Sequence, residues 1–239
     1  MGPELLERAA RAALDTVLDP ELDEPITDLG FVRSLEATDG GVVTAHLRLP
    51  TSFCAPNFAY LMASDAKDVL RGLPDVTDVV VVLDDHHDSE LINHGLAADA
   101  GYRGTFPHEA EEDLEQLRLT FRRKAHAAAM ERSLGLLLKE NPELTEEDLH
   151  EVAIADLPDA PTTSSLLLRR RALGLTIAPS APVLVNDHGH PCSREEVPLR
   201  LRFARAIRIS MEGNAHFCRG LLRTRYPESA ADQLKENAS

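Results

Sequence analysis

The sequence predicts an α+β protein: an N-terminal α-β-β-α-β domain over residues 1–84, then a mostly helical C-terminal region. Three observations predict it. Apolar residues recur at helical spacing over residues 3–18 and again from Pro56, two β-favouring runs flank an Asp-Gly turn, and from about Glu109 the pattern is that of long helices.

Leu5, Leu6, Ala9, Ala13, Leu14 and Val17 make the first helix amphipathic, and Asp19-Pro20 ends it, because proline disfavours helical backbone in the residue before it. Phe31–Ala37 and Val42–Leu49 read as strands joined through Thr38-Asp39-Gly40-Gly41, a hairpin turn. Pro56, with its fixed φ, suits the first position of a second helix whose buried stripe is Phe58, Met62, Ala66, Val69, Leu70 and Leu73. Gly72 and Pro74 close it, and Val76–Leu83 is a β-branched run that reads as a covered strand. Residues 85–108, with several glycines and polar residues, read as a linker.

Residues 109–227 form the second predicted domain and 228–239 a polar tail. A long helix is expected from Glu109 to Glu140, acidic first and basic later. Thr145 with Asp148 resembles a capping box opening a short helix, and Thr162-Thr163-Ser164-Ser165 would cap another that runs to Gly174. Val183-Leu184-Val185 suggests a strand before a turn, and a final helix is expected to start after Gly213-Asn214.

The core must be aliphatic, since only 4% of the 239 residues are aromatic and there is no Trp; this argues against a base-stacking or sugar-binding surface. Three cysteines are too few and too scattered for a disulfide framework, so a reducing, cytoplasmic setting is expected. No membrane span or export signal is evident. The net charge of −15 hides a reversal: residues 163–226 hold 11 Arg, no Lys and four acids. Such a basic segment would dock on the acidic part of the same chain or of a second copy, or bind nucleic acid, the weaker of these readings.

Cys54 stands between the second strand and the second helix. Free N–H groups and the helix dipole favour a thiolate there; the competing role is a small buried apolar residue. Asp19-Pro20-Glu21-Leu22, Ile26-Thr27-Asp28-Leu29-Gly30-Phe31-Val32, the Cys54 segment and Leu73-Pro74-Asp75-Val76 occur in this order within residues 5–84. Together they resemble the SufT/PaaD-like family, small domains associated with iron-sulfur cluster assembly and with maturation of metal-dependent oxygenases. The resemblance implies that Cys54 is the reactive cysteine, that Asp28 lies in an acidic loop approaching the same pocket, and that iron or an iron-sulfur cluster is bound transiently. It also implies a client metalloenzyme as partner. Where members often have Pro directly after the cysteine, Ala55 intervenes.

One thiolate cannot complete a cluster or tetrahedral site, so further ligands would come from a second copy, the client or the rest of the chain. The candidates within the chain are His188, His190, Cys192, His216 and Cys218, a set that would suit zinc or iron. Alternate residues of His188-Gly189-His190-Pro191-Cys192 would project to one side, whereas a helix starting at Ala215 would point His216 and Cys218 apart and place Cys218 on its apolar face. His86 and His87 read as members of a solvated acidic loop. The reading that accounts for most residues is an assembly accessory protein. A DNA-binding regulator and a thiol-dependent enzyme are the alternatives, the latter without an evident general base near Cys54.

Overall fold

A computed structural model describes residues 2–107 and 114–227. The chain divides into two compact units, Met1–Leu114 with Asn214–Ser239, and Glu115–Gly213.

In the first unit, α1 (Pro3–Leu14) buries Leu6, Ala10 and Leu14, one residue per turn along one face. It ends earlier than its periodicity suggests, because the chain beyond it pairs with the following loop: Ile26 N–H donates to Val17 O, and Leu18 bridges Pro25. β1 (Val32–Ala37) and β2 (Val42–Arg48) form the predicted antiparallel hairpin. Its turn needs Gly41, which has φ +80° and whose added β-carbon would sit 2.4 Å from the Asp75 carbonyl oxygen. After α2 (Pro56–Arg71), β3 (Asp78–Asp84) pairs parallel with β2, so the sheet order is β1-β2-β3. Val43, Ala45 and Leu47 of β2 meet Met62, Ala66 and Leu70 of α2 in one aliphatic core.

The predicted linker carries two helices, α3 (Ser89–Ala97) and α4 (Gly101–Thr105). Glycine composition concealed them. Ile92 and Leu96 lie one turn apart and are buried in the first core, the Asn93 side chain bonds both N–H and C=O of Leu83, and Gly95 is required because a β-carbon there would strike Thr105.

The second unit contains most of α5 (Leu114–Glu140) and all of α6 (Pro161–Ala172). The predicted start of α5 at Glu109 lies outside the described residues, as does the predicted tail. The Thr145–Asp148 capping box is present but opens only a 3-10 turn, Glu146–His150. α6 starts on Pro161 rather than on a Thr or Ser cap. Val183, Leu184 and Val185 are buried yet form no ladder, only isolated bridges, because Pro179, Pro182 and Pro191 withhold the N–H groups a sheet requires.

The last helix, α7 (Val197–Arg225), begins well before the predicted start and passes through Gly213. A helical glycine costs about 1 kcal/mol relative to alanine. Burial offsets it: Val197, Leu201 and Ala204 belong to the core of the second unit, Ala215 and Leu222 to that of the first. No helix is long and apolar enough to cross a membrane among the described residues.

Candidate functional site

Cys54 lies in the loop between β2 and α2, half-buried against the core of the first unit. Two structures fix this loop. From the end of β3, the buried His86 donates from Nε2 to the Cys54 carbonyl at 2.8 Å; its Nδ1 accepts the Asp88 N–H at 3.1 Å, which sets the neutral tautomer. From the C-terminal end of α7, Arg225 donates to Leu49 O at 3.0 Å, to Ser52 Oγ at 2.8 Å, and to Asp85 O. Tyr226 completes this clamp, its hydroxyl bonding Asp85 at 3.0 Å and its ring lying under the guanidinium of Arg48.

α7 also brings a second thiol. Asn214, Cys218 and Leu222 recur every four residues along one face, with Arg225 and Tyr226 one turn further. Asn214 bonds Glu21, Arg219 pairs with Glu24, and Leu222 is buried in the core that Cys54 and Cys218 both touch. The sequence expectation that Cys218 falls on the apolar face and His216 does not agrees with their half-buried and exposed positions.

The local electrostatics favour neutral thiols. Burial first, and then the nearby Asp19, Cys218 and Glu21, push the Cys54 pKa up to about 12. The Ala55 N–H stabilises the anion, but Pro56, first in the helix, has no N–H to offer. The thiolate expected from the helix start is therefore not the resting form. Cys218 is likewise raised, by burial first and then by Asp19 and Glu21. Asp19 itself is buried, and desolvation lifts its carboxyl to about 6 although its Oδ1 accepts N–H bonds from Glu21 and Leu22, each at 2.9 Å.

The acid beside the thiols is thus Asp19, whereas Asp28 is exposed and makes no side-chain bond among the described residues. Sequence reasoning treated Asp19 as the end of a helix. The available signal was its place in Asp19-Pro20-Glu21-Leu22, part of the same motif set as the Cys54 segment. Cys54, His216 and Cys218 belong to the first unit, and His188, His190 and Cys192 to the second. There Cys192 is buried in the core, and the rings of His188 and His190 are 6.2 Å apart on a tight turn. Among the described residues, no three or more His, Cys, Asp or Glu side chains are grouped to hold a metal by themselves, so nothing supports a closed zinc site. The arginine surplus is largely engaged: Arg205 and Arg208 grip Glu131, Arg194 pairs with Glu147, and Arg200 with Asp187.

Residues 7–81, which include the Asp19 loop and Cys54, match the iron-sulfur cluster assembly protein family. This chain belongs to that family. The family domain is 34% identical over 84 residues to an uncharacterized protein of Methanocaldococcus jannaschii, covering 35% of this chain and 86% of that protein. A crystal structure of a domain of unknown function (DUF59) from Bacillus anthracis is 26% identical, with a TM-score of 0.32, covering 42% of this chain and 96% of that one. The family domain gives the protein a role in iron-sulfur cluster assembly. Cys218 and the Arg225–Tyr226 clamp lie outside the matched segment.

Proposed function

We propose that the protein is an accessory factor in the maturation of iron-sulfur or iron-dependent metalloenzymes, and that it handles iron or a cluster at Cys54 together with Cys218. The carrying observation is the second thiol: α7 adds Cys218, beside the buried carboxyl of Asp19, to the cysteine of the family domain.

Two sulfurs suit iron by ligand type, and they leave coordination positions open. A client metalloenzyme or a second copy of the chain supplies the remaining donors, which favours transfer over storage. Loading is coupled to proton release. At neutral pH both thiols are protonated, so an arriving cation displaces protons, and the ionised Asp19 gains an opposite charge for the burial it endures. Binding therefore strengthens as pH rises. The raised thiol pKa is a poor start for a nucleophilic enzyme, and the Arg–Glu pairing removes much of the cationic surface a DNA regulator needs.

The test is anaerobic reconstitution of the full chain with ferrous iron and sulfide, followed by iron and sulfide analysis and transfer to an apo iron-sulfur acceptor protein. Wild type should load and transfer. Cys54→Ser should abolish both, and Cys218→Ser should cut retention at least about tenfold, the loss of one thiolate ligand. Unchanged loading in Cys54→Ser would sink the proposal; unchanged loading in Cys218→Ser alone would confine it to the family cysteine.

A further inference from the structure

A cleft of about 450 Å³, counted to its open mouth, lies in the second unit, outside the family domain. Its polar side is built from Arg123 and His126 of α5 and from the turn carrying Asn186, Asp187 and His188; leucines, among them Leu173 and Leu175, form the other side. The turn is preorganised. Asn186 Oδ1 accepts the N–H groups of His188 and His190 at 2.9 and 3.1 Å, and Asn186 N–H donates to His190 O at 2.8 Å.

Two buried polar side-chain atoms of this unit have no partner among the described residues, and one of them belongs to His126, which lines the cleft. His126 is 2% exposed, and its Nε2 makes no hydrogen bond. Arg200 is 9% exposed; its Nε bonds Val185 O at 2.8 Å and its Nη1 pairs with Asp187 at 2.7 Å, but its Nη2 is unbonded. A buried polar atom left without a partner is destabilising, so a ligand group that bonds it is favoured.

The charges around His126 are unbalanced in one direction. Arg170 is 1% exposed and, among the described residues, bonds the backbone carbonyls of Thr176, Pro182 and Val183 and no carboxylate. Arg170 and Arg200 both act on His126, against Asp187 alone. Arg123 adds a further cation on the cleft side and has no acidic partner among the described residues. Burial, then these two arginines, hold the imidazole neutral with its pKa down to about 4, so it is a hydrogen-bonding group rather than a competing cation.

We propose that this cleft is a binding site for a small oxyanion, a carboxylate or phosphate carried on a short apolar body. Its charge is compensated by Arg123 on the cleft wall and by Arg170 and Arg200, whose charges reach His126, and it is bonded by His126 Nε2. Guanidinium groups match both oxyanions by geometry, and the leucine side takes the apolar body. The site gives the His188 turn a part in recognition that requires no metal.

The test is NMR of the full chain with resolved histidine side-chain signals, titrated at constant ionic strength with sodium phosphate, sodium hexanoate or sodium chloride. Saturable shifts of the His126 signals with phosphate or with hexanoate, and none with chloride, are expected, and the responding probe identifies the headgroup. Arg123→Gln, a change on a half-buried side chain that should leave the ligand-free melting temperature unaltered, should weaken binding at least about tenfold. The absence of saturable shifts with either oxyanion up to about 50 mM, a range that covers millimolar affinity, would overturn the proposal. So would an Arg123→Gln protein that binds the responding probe as tightly as wild type.

Discussion

Replacing Asp19 by Asn isolates the energetic cost of placing a carboxyl beside two thiols. Burial lifts the Asp19 pKa from 3.8 to about 6. At about 1.36 kcal/mol per pKa unit, a shift of about two units corresponds to roughly 3 kcal/mol. The sign follows from proton uptake. Between pH 3.8 and about 6 the folded protein keeps a proton that the unfolded chain has released, so this stabilisation is complete below 3.8 and is lost as pH rises through 6. Asn retains an oxygen to accept the Glu21 and Leu22 N–H groups and cannot ionise. In urea unfolding series, the stability of Asp19→Asn relative to wild type should therefore improve by about 3 kcal/mol between pH 4 and pH 8. Other titrating groups are common to both proteins and cancel in the difference. A difference that stays flat with pH would refute the burial argument. Alkylation gives a second readout: without the Asp19 charge the Cys54 thiol should ionise more readily, and its alkylation rate at pH 8 should rise.

Further outcomes are expected elsewhere. Arg225→Ala removes the bonds to Leu49, Ser52 and Asp85; it should cost about 2 kcal/mol in urea unfolding and speed alkylation of Cys54, measured by mass spectrometry. Glu131→Gln leaves Arg205 and Arg208 facing a neutral, buried side chain. Because both arginines retain solvent access, a loss of about 2 kcal/mol is expected rather than the larger penalty of a fully buried pair. Gly41→Ala should cost about 2 kcal/mol or more through its left-handed backbone and the clash with Asp75 O. At Gly40 the same substitution meets only Thr38 Oγ1 at 3.7 Å and should cost less than about 1 kcal/mol, so thermal melts of the two variants should separate clearly.

What could be read from the sequence depended on the range of the interaction. The α-β-β-α-β order was legible because Pro56, the Asp39-Gly40 turn and the alternation of β2 act over a few residues. The two helices after β3 were not, since Gly95 and Gly101 carry a loop-like signal locally, while what stabilises α3 is burial of Ile92 and Leu96 against residues far along the chain. The same holds for α7, where Gly213 looked like a boundary but burial on both sides outweighs its helix cost.

The sequence by itself determined that Cys54 precedes a helix in an iron-sulfur-assembly-like domain, because that placement rests on local punctuation and a motif order. The tertiary structure decided what kind of thiol it is. Its high pKa comes from burial, from Asp19 on another loop and from Cys218 on the last helix, 164 positions away in sequence. Desolvation and Coulomb interactions depend on distance in space, and only the folded chain sets those distances.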